Sequence, residues 1–280
     1  MNFTEKVLEL SRRKNSFVCV GLDTELAKIP PFLKKYEDPL FEFNKAIINA
    51  TQDFVVAYKP NLAFYEARGA SGLMTLEKTL KYIPEDAIAI GDAKRGDIGN
   101  TARMYATALF DHFQFDAVTL NPYLGHDSLT PFLQFAEKGV FVLCLTSNPG
   151  SQDFQYFSSS HQKLYQRVAE KVNNWNEKHN CGLVVGATHP EELKEIRDLC
   201  PDLPFLIPGI GAQGGDLELS IKYGADKNGE LAIFNSSRGI IYQSSQADFA
   251  EAAGKAAANL RDVINSIRTQ LSAKFGSSFH

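Results

Sequence analysis

The sequence lacks the residue patterns that identify several classes of protein. Its four cysteines include no CxxC pair and its six histidines no HxxxH or HExxH pattern, so a metal site has little support. No run approaches the roughly 18 apolar residues that cross a bilayer. The formal net charge of −4 provides no basic field for nucleic acid or an anionic membrane. We therefore expect no metal, no nucleic acid and no membrane among its partners.

The rest of the composition is that of an ordinary globular chain. Hydrophobic residues make up 44% of the 280 residues and charged residues 22%, and a chain of this length can bury a large core without disulfides. Cys19 and Cys144 lie in apolar runs and are interpreted as small core side chains. Residues 2–14 have the pattern of an amphipathic helix, not of a signal peptide, which makes the cytoplasm the expected compartment. The tail from about 272 to 280 is expected to be frayed.

Short apolar runs alternate with longer amphipathic segments along the chain. Eight such runs lie at 17–22, 54–59, 87–92, 116–121, 140–146, 182–187, 204–209 and 231–237. Strands that are apolar throughout are typical of a parallel sheet covered by helices. Eight strand–helix units in about 250 residues predict a (β/α)8 TIM barrel. No shift in composition divides the chain, so a single domain is expected over 1–280; a doubly wound open sheet is the competing architecture.

In such a barrel the C-terminal ends of the strands form the active face. The residues that stand at these ends in the sequence are Asp23, Lys59, Asp92 with Lys94, Asn121, Ser147, Pro208 and Arg238. Each has a structural explanation when taken alone: Asp23 can form a turn, Lys59 can be an exposed lysine before a proline, and Arg238 can be a surface charge. Their convergence on one face favours a shared site.

Three full charges, Asp92, Lys94 and Asp97, stand within six residues at the end of the third apolar run. If the run is a regular strand, Asp92 and Lys94 point to the same face. Such a cluster is costly to remove from water and needs a reason to be there. A structural salt bridge is one alternative, and Asp97 could simply cap the following helix.

A phosphate site is indicated at the end of the seventh and eighth strands. Gly209, Gly211, Gly214 and Gly215 leave backbone N–H groups free to bind an anion. Arg238 can hold phosphate oxygens with two parallel hydrogen bonds. The ligand is therefore expected to carry phosphate at one end and a reacting centre near Lys94 at the other.

The same glycines fit GxGxxG, after a strand and before a helix. A dinucleotide fold also requires an acidic residue about 20 positions further on, at the end of the next strand. That strand ends Phe234-Asn235-Ser236-Ser237, without an acid. A dinucleotide site is therefore disfavoured.

The charge cluster resembles a known family signature. Residues 92–101, DAKRGDIGNT, match the DxKxxDIxxT signature of the orotidine 5′-phosphate decarboxylase family. The stretches AYKPNLAFYE, TLNPYLG, PGIGAQGGD and NSSRGI are similar to the longer, type 2 branch of that family. DxKxxD alone is shared with other sugar-phosphate barrels, but its combination with Lys59, the glycine loop and Arg238 is specific. The resemblance covers essentially the whole chain.

The resemblance implies decarboxylation of orotidine 5′-monophosphate to uridine 5′-monophosphate, the last step of pyrimidine synthesis, without a cofactor or a metal. It implies that Lys94 protonates C6 as carbon dioxide leaves. Lys59, Asp92, Lys94 and Asp97 match the family's alternating charge network. The family pattern also implies a homodimer in which Asp97 enters the neighbouring subunit's site together with Ile98 and Thr101.

The resemblance further implies the substrate contacts. Asp23 and Lys59 match residues that meet the ribose hydroxyls, and Ser147 matches the residue that reads the pyrimidine. Gln213 and Arg238 match phosphate ligands, with Pro208 opening their loop.

Physical chemistry agrees with this assignment. Loss of carbon dioxide from C6 leaves a carbanion that the ring cannot readily delocalise, and no PLP or thiamine motif supplies an electron sink. An ammonium group beside the carbon stabilises the negative charge and then delivers the proton. Two rivals stay open at this point: a metal-dependent sugar-phosphate lyase or decarboxylase on the same barrel, and a non-catalytic protein that binds a nucleotide phosphate.

Overall fold

A computed structural model describes residues 1–210 and 216–275 of the chain, with side chains up to Leu271. Its strands are Val18–Gly21 (β1), Ala57–Lys59 (β2), Ile88–Arg95 (β3), Ala117–Leu120 (β4), Gly139–Leu145 (β5), Ser158–Ser159 (β6), Gln162–Lys163 (β7), Cys181–Val185 (β8), Phe205–Pro208 (β9) and Ala232–Ser236 (β10).

The α-helices in the same ranges are Phe3–Lys14 (α1), Pro39–Thr51 (α2), Leu62–Glu66 (α3), Gly69–Tyr82 (α4), Gly99–Ala106 (α5), His126–Leu133 (α6), Ser151–Phe154 (α7), Leu164–Trp175 (α8), Pro190–Leu199 (α9), Leu217–Gly224 (α10), Arg238–Ile241 (α11) and Phe249–Phe275 (α12). Two 3-10 turns, Pro31–Lys35 and Pro122–Leu124, and a π-helical segment, Thr107–His112, complete the described elements.

Eight of the strands close into a parallel barrel in the order β1-β10-β9-β8-β5-β4-β3-β2. Each barrel strand coincides with one of the eight predicted apolar runs, and helices separate successive strands along the chain. The predicted single-domain (β/α)8 barrel is therefore confirmed, and the doubly wound open sheet is wrong. Closure removes the sheet edges and brings the C-terminal ends of all eight strands to one mouth.

Side-chain alternation divides the core into two shells. In β1, Cys19 belongs to the cluster inside the barrel, whereas Val18 and Val20 belong to the larger cluster between the barrel and its helices. A strand buried on both faces needs apolar residues at every position. This requirement explains why the strands read as continuous apolar runs in the sequence.

Helix α1 closes the barrel at the end opposite the mouth. Asn2 and Glu5 form a reciprocal capping box at its start, which satisfies backbone N–H groups that the helix cannot. Phe3 is fully buried inside the barrel and meets Phe141 edge to face, with ring centroids 5.7 Å apart. Gly139 makes room for it, since a Cβ there would lie 2.4 Å from the Phe3 ring.

Three segments have features that the apolar runs do not indicate. The polar stretch after β5 contains α7 and an antiparallel hairpin of β6 and β7. Helix α5 is followed directly by the π-helical segment. Helix α12 continues to Phe275, past the point where fraying was expected, and residues 276–280 lie outside the described ranges.

Within residues 1–210 and 216–275, no helix is both long enough and apolar enough to cross a membrane.

Replacement of Phe3 by alanine should lower the free energy of unfolding by about 3–5 kcal/mol, because it leaves a cavity inside the barrel. Denaturant unfolding followed by circular dichroism measures the loss. Phe154→Ala is the matched control, since Phe154 is 69% exposed and should change stability by less than about 0.5 kcal/mol. Equal losses for the two variants would contradict the role of Phe3.

Candidate active site

The ends of β2 and β3 bring one carboxylate between two lysines. Lys59 Nζ donates to Asp92 Oδ2 at 2.7 Å, and Lys94 Nζ donates to Asp92 Oδ1 at 2.5 Å. The Lys59 and Asp92 side chains are 5% and 11% exposed, whereas that of Lys94 is 49% exposed. Asp92 therefore neutralises the buried ammonium of Lys59 with one oxygen. With the other oxygen it binds the ammonium of Lys94, which is half exposed at the barrel mouth.

Lys94 reaches Asp92 through an irregular backbone. The sequence predicted a regular strand, but the register of β3 against β4 shifts between Gly91 and Arg95. Lys94 has a φ of +47°, a left-handed conformation that is uncommon for a residue with a Cβ. The side chains of Asp92 and Lys94 do meet, but an irregular backbone, and not simple alternation along a regular strand, brings them together.

Thr119 on β4 fixes this arrangement. Its Oγ1 accepts a hydrogen bond from the Lys94 backbone N–H at 2.9 Å and donates to Asp92 Oδ1 at 3.1 Å. Sequence reasoning missed Thr119. The available signal was a lone hydroxyl inside the apolar run DAVTLN, where a buried polar group needs hydrogen-bond partners.

The cluster keeps its groups charged. Burial alone would raise the pKa of Asp92, but Lys59 and Lys94 outweigh it and hold that pKa well below the ordinary value. Burial alone would lower the pKa of Lys59, but Asp92 and Asp23 outweigh it and raise that pKa. The mouth thus carries a permanent carboxylate and a permanent buried ammonium at neutral pH.

Asp23 follows β1 and is held by its backbone. Its carbonyl oxygen accepts from the Tyr242 hydroxyl at 3.2 Å, and that hydroxyl accepts from the Glu25 N–H at 2.8 Å. Thr24 donates to the buried Asn44 side chain at 2.6 Å. One carboxylate oxygen of Asp23, Oδ1, is buried without a hydrogen-bond partner in the described part of the chain. The loop therefore presents a fixed acceptor that nothing there uses.

Asp97, Ile98 and Thr101 follow the end of β3. Asp97 Oδ1 accepts from the Ile98 N–H at 2.8 Å, and no hydrogen bond or ion pair in the described ranges joins it to Lys94 or Asp92. Ile98 and Thr101 are exposed. Within the described part of the chain, Asp97 is thus not bonded to the charge cluster of its own subunit.

The remaining predicted residues lie on other strand ends of the mouth. Ser147, just beyond β5, is half-buried and lies against Gly186, where a Cβ would be 3.1 Å from the Ser147 backbone nitrogen. Pro208 ends β9, and Gly209 follows with a φ of +96°. Arg238 is exposed at the first residue of α11. Gln213 lies outside the described residues.

Across the two described ranges, no group of three or more His, Cys, Asp or Glu side chains is placed to hold a metal ion. At the mouth, the carboxylate of Asp92 lies between two ammonium groups.

Comparison with known proteins gives a consistent result. Residues 16–253 match the family model described as Orotidine 5'-phosphate decarboxylase / HUMPS family. The chain is 52% identical over 272 residues to the orotidine 5'-phosphate decarboxylase of Dehalococcoides mccartyi, covering 96% of this chain and 99% of that protein. It is similar to that of Christiangramia forsetii at 52% identity over 254 residues, or 90% of this chain and 92% of the other. The structure of Leishmania donovani OMP decarboxylase superposes with a TM-score of 0.84 at 40% identity, covering 96% and 99% of the two chains.

Replacement of Asp92 by asparagine should lower the free energy of unfolding at pH 7 by about 3–5 kcal/mol, because Lys59 would be buried without its counter-charge. The folded pKa of Asp92 is lowered, so its contribution is present above the ordinary value of about 4 and is lost as pH falls toward the folded value. The difference from wild type should therefore shrink below about pH 4.

Denaturant unfolding at pH 7 and pH 3 measures this difference. Asp198→Asn is the matched control, since this carboxylate is 64% exposed in an i,i+4 pair with Lys194 and should cost less than about 0.5 kcal/mol. A loss that does not depend on pH would show that Asp92 acts through packing and not through its charge.

Proposed function

The chain belongs to the orotidine 5'-phosphate decarboxylase / HUMPS family, and from this premise we propose how its barrel mouth converts orotidine 5′-monophosphate into uridine 5′-monophosphate and carbon dioxide. The observation that carries the proposal is the Lys59–Asp92–Lys94 cluster, in which a half-exposed ammonium is fixed beside a buried carboxylate. The product is the pyrimidine nucleotide at the end of de novo synthesis.

Lys94 is the proton donor. The bond between C6 and the carboxylate breaks, its electron pair stays on C6, and carbon dioxide leaves. The ammonium of Lys94 stabilises the developing charge and then transfers a proton to C6. The step uses the ammonium that donates to Asp92, whereas a Schiff-base mechanism would need a neutral lysine.

Asp92 also raises the energy of the substrate. Its carboxylate and the substrate carboxylate, about 4 Å apart at an effective dielectric near 20, would repel by roughly 4 kcal/mol. That amounts to about three decades of rate. Enzymatic accelerations can require up to about 23 kcal/mol, so carbanion stabilisation and binding energy from the distant phosphate supply most of the remainder.

The other strand ends bind the rest of the substrate. Asp23 and Lys59 meet the ribose hydroxyls; in support, Asp23 Oδ1 is buried and unused in the described part of the chain. Ser147 reads the pyrimidine. Pro208, Gln213 and Arg238 form the phosphate site, for which the glycine-rich sequence after β9 and the exposed guanidinium on α11 are the support.

The working unit is a homodimer with shared sites. Asp97, Ile98 and Thr101 act in the neighbouring subunit; in support, no hydrogen bond or ion pair in the described ranges joins Asp97 to the charge cluster of its own chain, and Ile98 and Thr101 are exposed. Ile98 itself is 56% exposed, and two further apolar side chains are also exposed, Met104 at 53% and Tyr123 at 83%. Exposed apolar residues in such numbers favour burial against a second copy.

We place the enzyme in the cytoplasm. Each of its four cysteines lies in the described ranges, and each is buried and free, as suits a reducing compartment.

Replacement of Lys94 by alanine should lower turnover by more than about 10⁴-fold, since it removes both the proton donor and the charge that stabilises the carbanion. Binding of uridine 5′-monophosphate should persist. An ultraviolet assay of orotidylate loss, with and without EDTA, measures turnover. Lys81→Ala is the control, because Lys81 is 74% exposed in a surface pair with Glu77.

Three outcomes of this assay would contradict the proposal. A near-normal rate in Lys94→Ala would remove Lys94 from the chemistry. Loss of wild-type activity in EDTA would favour a metal-dependent lyase. A wild-type protein that binds uridine 5′-monophosphate but leaves orotidylate unchanged would be a non-catalytic binding protein.

Mixing inactive Lys94→Ala and Asp97→Ala proteins should restore activity. Each mixed dimer has one site with both residues intact, so complete subunit exchange should give roughly one quarter of wild-type activity. Mass spectrometry of the mixed dimers verifies exchange. Dimers that exchange and stay inactive would show that Asp97 serves its own subunit.

A further inference from the structure

A second buried oxygen at the barrel mouth belongs to Asn235 on β10. The Asn235 side chain is 6% exposed, and its Oδ1 has no hydrogen-bond partner in the described part of the chain. Asp23 Oδ1 is in the same condition. A buried acceptor without a donor is costly. Two of them at one mouth indicate that the donors arrive with a ligand.

The strand register directs Asn235 into the barrel near its mouth. Asn235 pairs with Cys19 of β1, and Cys19 pairs on its other side with Ala57, two residues before Lys59. Cys19 and Ile233 both belong to the cluster inside the barrel. Asn235 stands two residues after Ile233, so side-chain alternation gives it the same inward direction, one level nearer the mouth.

The charges of the catalytic cluster act at this same level. Burial raises the pKa of the Cys19 thiol to about 12, and the charges of Lys59, Asp23 and Asp92 also affect it. Cys19 is the register partner of Asn235. Asn235 therefore lies next to the charge cluster and not within the apolar cluster inside the barrel.

Gly21 keeps the space beside Asn235 open. A Cβ on Gly21 would lie 3.3 Å from Asn235 Oδ1 and 1.9 Å from Ser237 Oγ. Gly21 is the register partner of Lys59 and precedes Asp23 by two residues. The missing side chain thus lets the Asn235 oxygen come against the strand end from which Asp23 projects.

The unused groups here require a ligand that both donates and accepts. Lys59 Nζ donates to Asp92, and no other acceptor for it is found in the described ranges, so further N–H groups are available. A carboxylate and an amide oxygen only accept. A hydroxyl can accept from Lys59 while donating to Asp23 or Asn235, and a vicinal diol offers two such groups.

We propose that Asn235 is a ribose-binding residue whose Oδ1 accepts a hydrogen bond from one hydroxyl of the substrate, beside Asp23 and Lys59. This inference rests on the proposed function and adds a specificity determinant to it. A buried site built to bind a hydroxyl rejects an analogue without it, because its polar groups are then left unpaired. Asn235 thereby favours ribonucleotides over deoxyribonucleotides.

The test compares dissociation constants, measured by calorimetry, for uridine 5′-monophosphate and its 2′-deoxy and 3′-deoxy analogues. In Asn235→Ala, the dissociation constant of uridine 5′-monophosphate should rise about 5- to 10-fold, the effect of one neutral hydrogen bond. The dissociation constant of one deoxy analogue should stay unchanged. The preference for that hydroxyl should therefore shrink by the same factor.

Ser236→Ala is the matched control, since it removes a buried hydroxyl from the next residue of β10, whose side chain has the opposite direction. It should keep the wild-type preference. Melting temperatures verify folding, and Asn235→Ser provides a second variant if the alanine variant is unstable. The preference is a ratio measured within one protein, so partial unfolding does not alter it.

Unchanged preference in both Asn235 variants, or equal weakening of all three ligands, would overturn the role of Asn235 while leaving the decarboxylase function intact. A wild-type protein that neither binds uridine 5′-monophosphate nor consumes orotidylate would instead overturn the proposed function itself.

Discussion

The carboxylate of Asp92, held between the ammonium groups of Lys59 and Lys94, is the interaction on which the rest of the site depends. Two cations placed this close together inside a barrel mouth would repel each other and would each lose hydration. Asp92 offsets both effects through hydrogen bonds of 2.7 and 2.5 Å. Its own burial is tolerable because Thr119 donates a third hydrogen bond to it. The three charges are therefore tolerated in the barrel mouth only when all of these partners are present.

A buried ion cluster is a poor source of stability, because the cost of desolvation consumes most of the attraction. The stability of this protein comes from the two apolar shells around the barrel wall and from Phe3, which fills the end opposite the mouth. That division leaves the mouth free to carry groups that are unfavourable for folding. The oxygens of Asp23 and Asn235 that lack a partner among the described residues belong to the same pattern, since each is costly without a ligand and useful with one.

Much of the architecture could be predicted from the sequence because its physical cause is local. A parallel strand covered on both faces must be apolar at every position, so each of the eight barrel strands left a visible run. The convergence of Lys59, Asp92 and Lys94 could also be predicted, since strand ends of a parallel barrel share one face. By contrast, β6 and β7 have two residues each. Strands of two residues are too short to show a periodic pattern of apolar and polar residues in the sequence. They pair because the chain reverses direction between them.

The sequence by itself determined that an aspartate and two lysines meet at the barrel mouth. They stand at the C-terminal ends of consecutive strands, and in a parallel barrel those ends lie on one face. Only the tertiary structure decided how they meet. Lys94 turns toward Asp92 through a left-handed backbone conformation and a register shift, and its backbone N–H donates a hydrogen bond to Thr119 on a different strand. The exposed position of Ile98, the half-buried one of Asp97 and the burial of Asn235 were likewise decided by packing. Such features arise from contacts between residues distant in sequence, and a local pattern of residue types does not contain them.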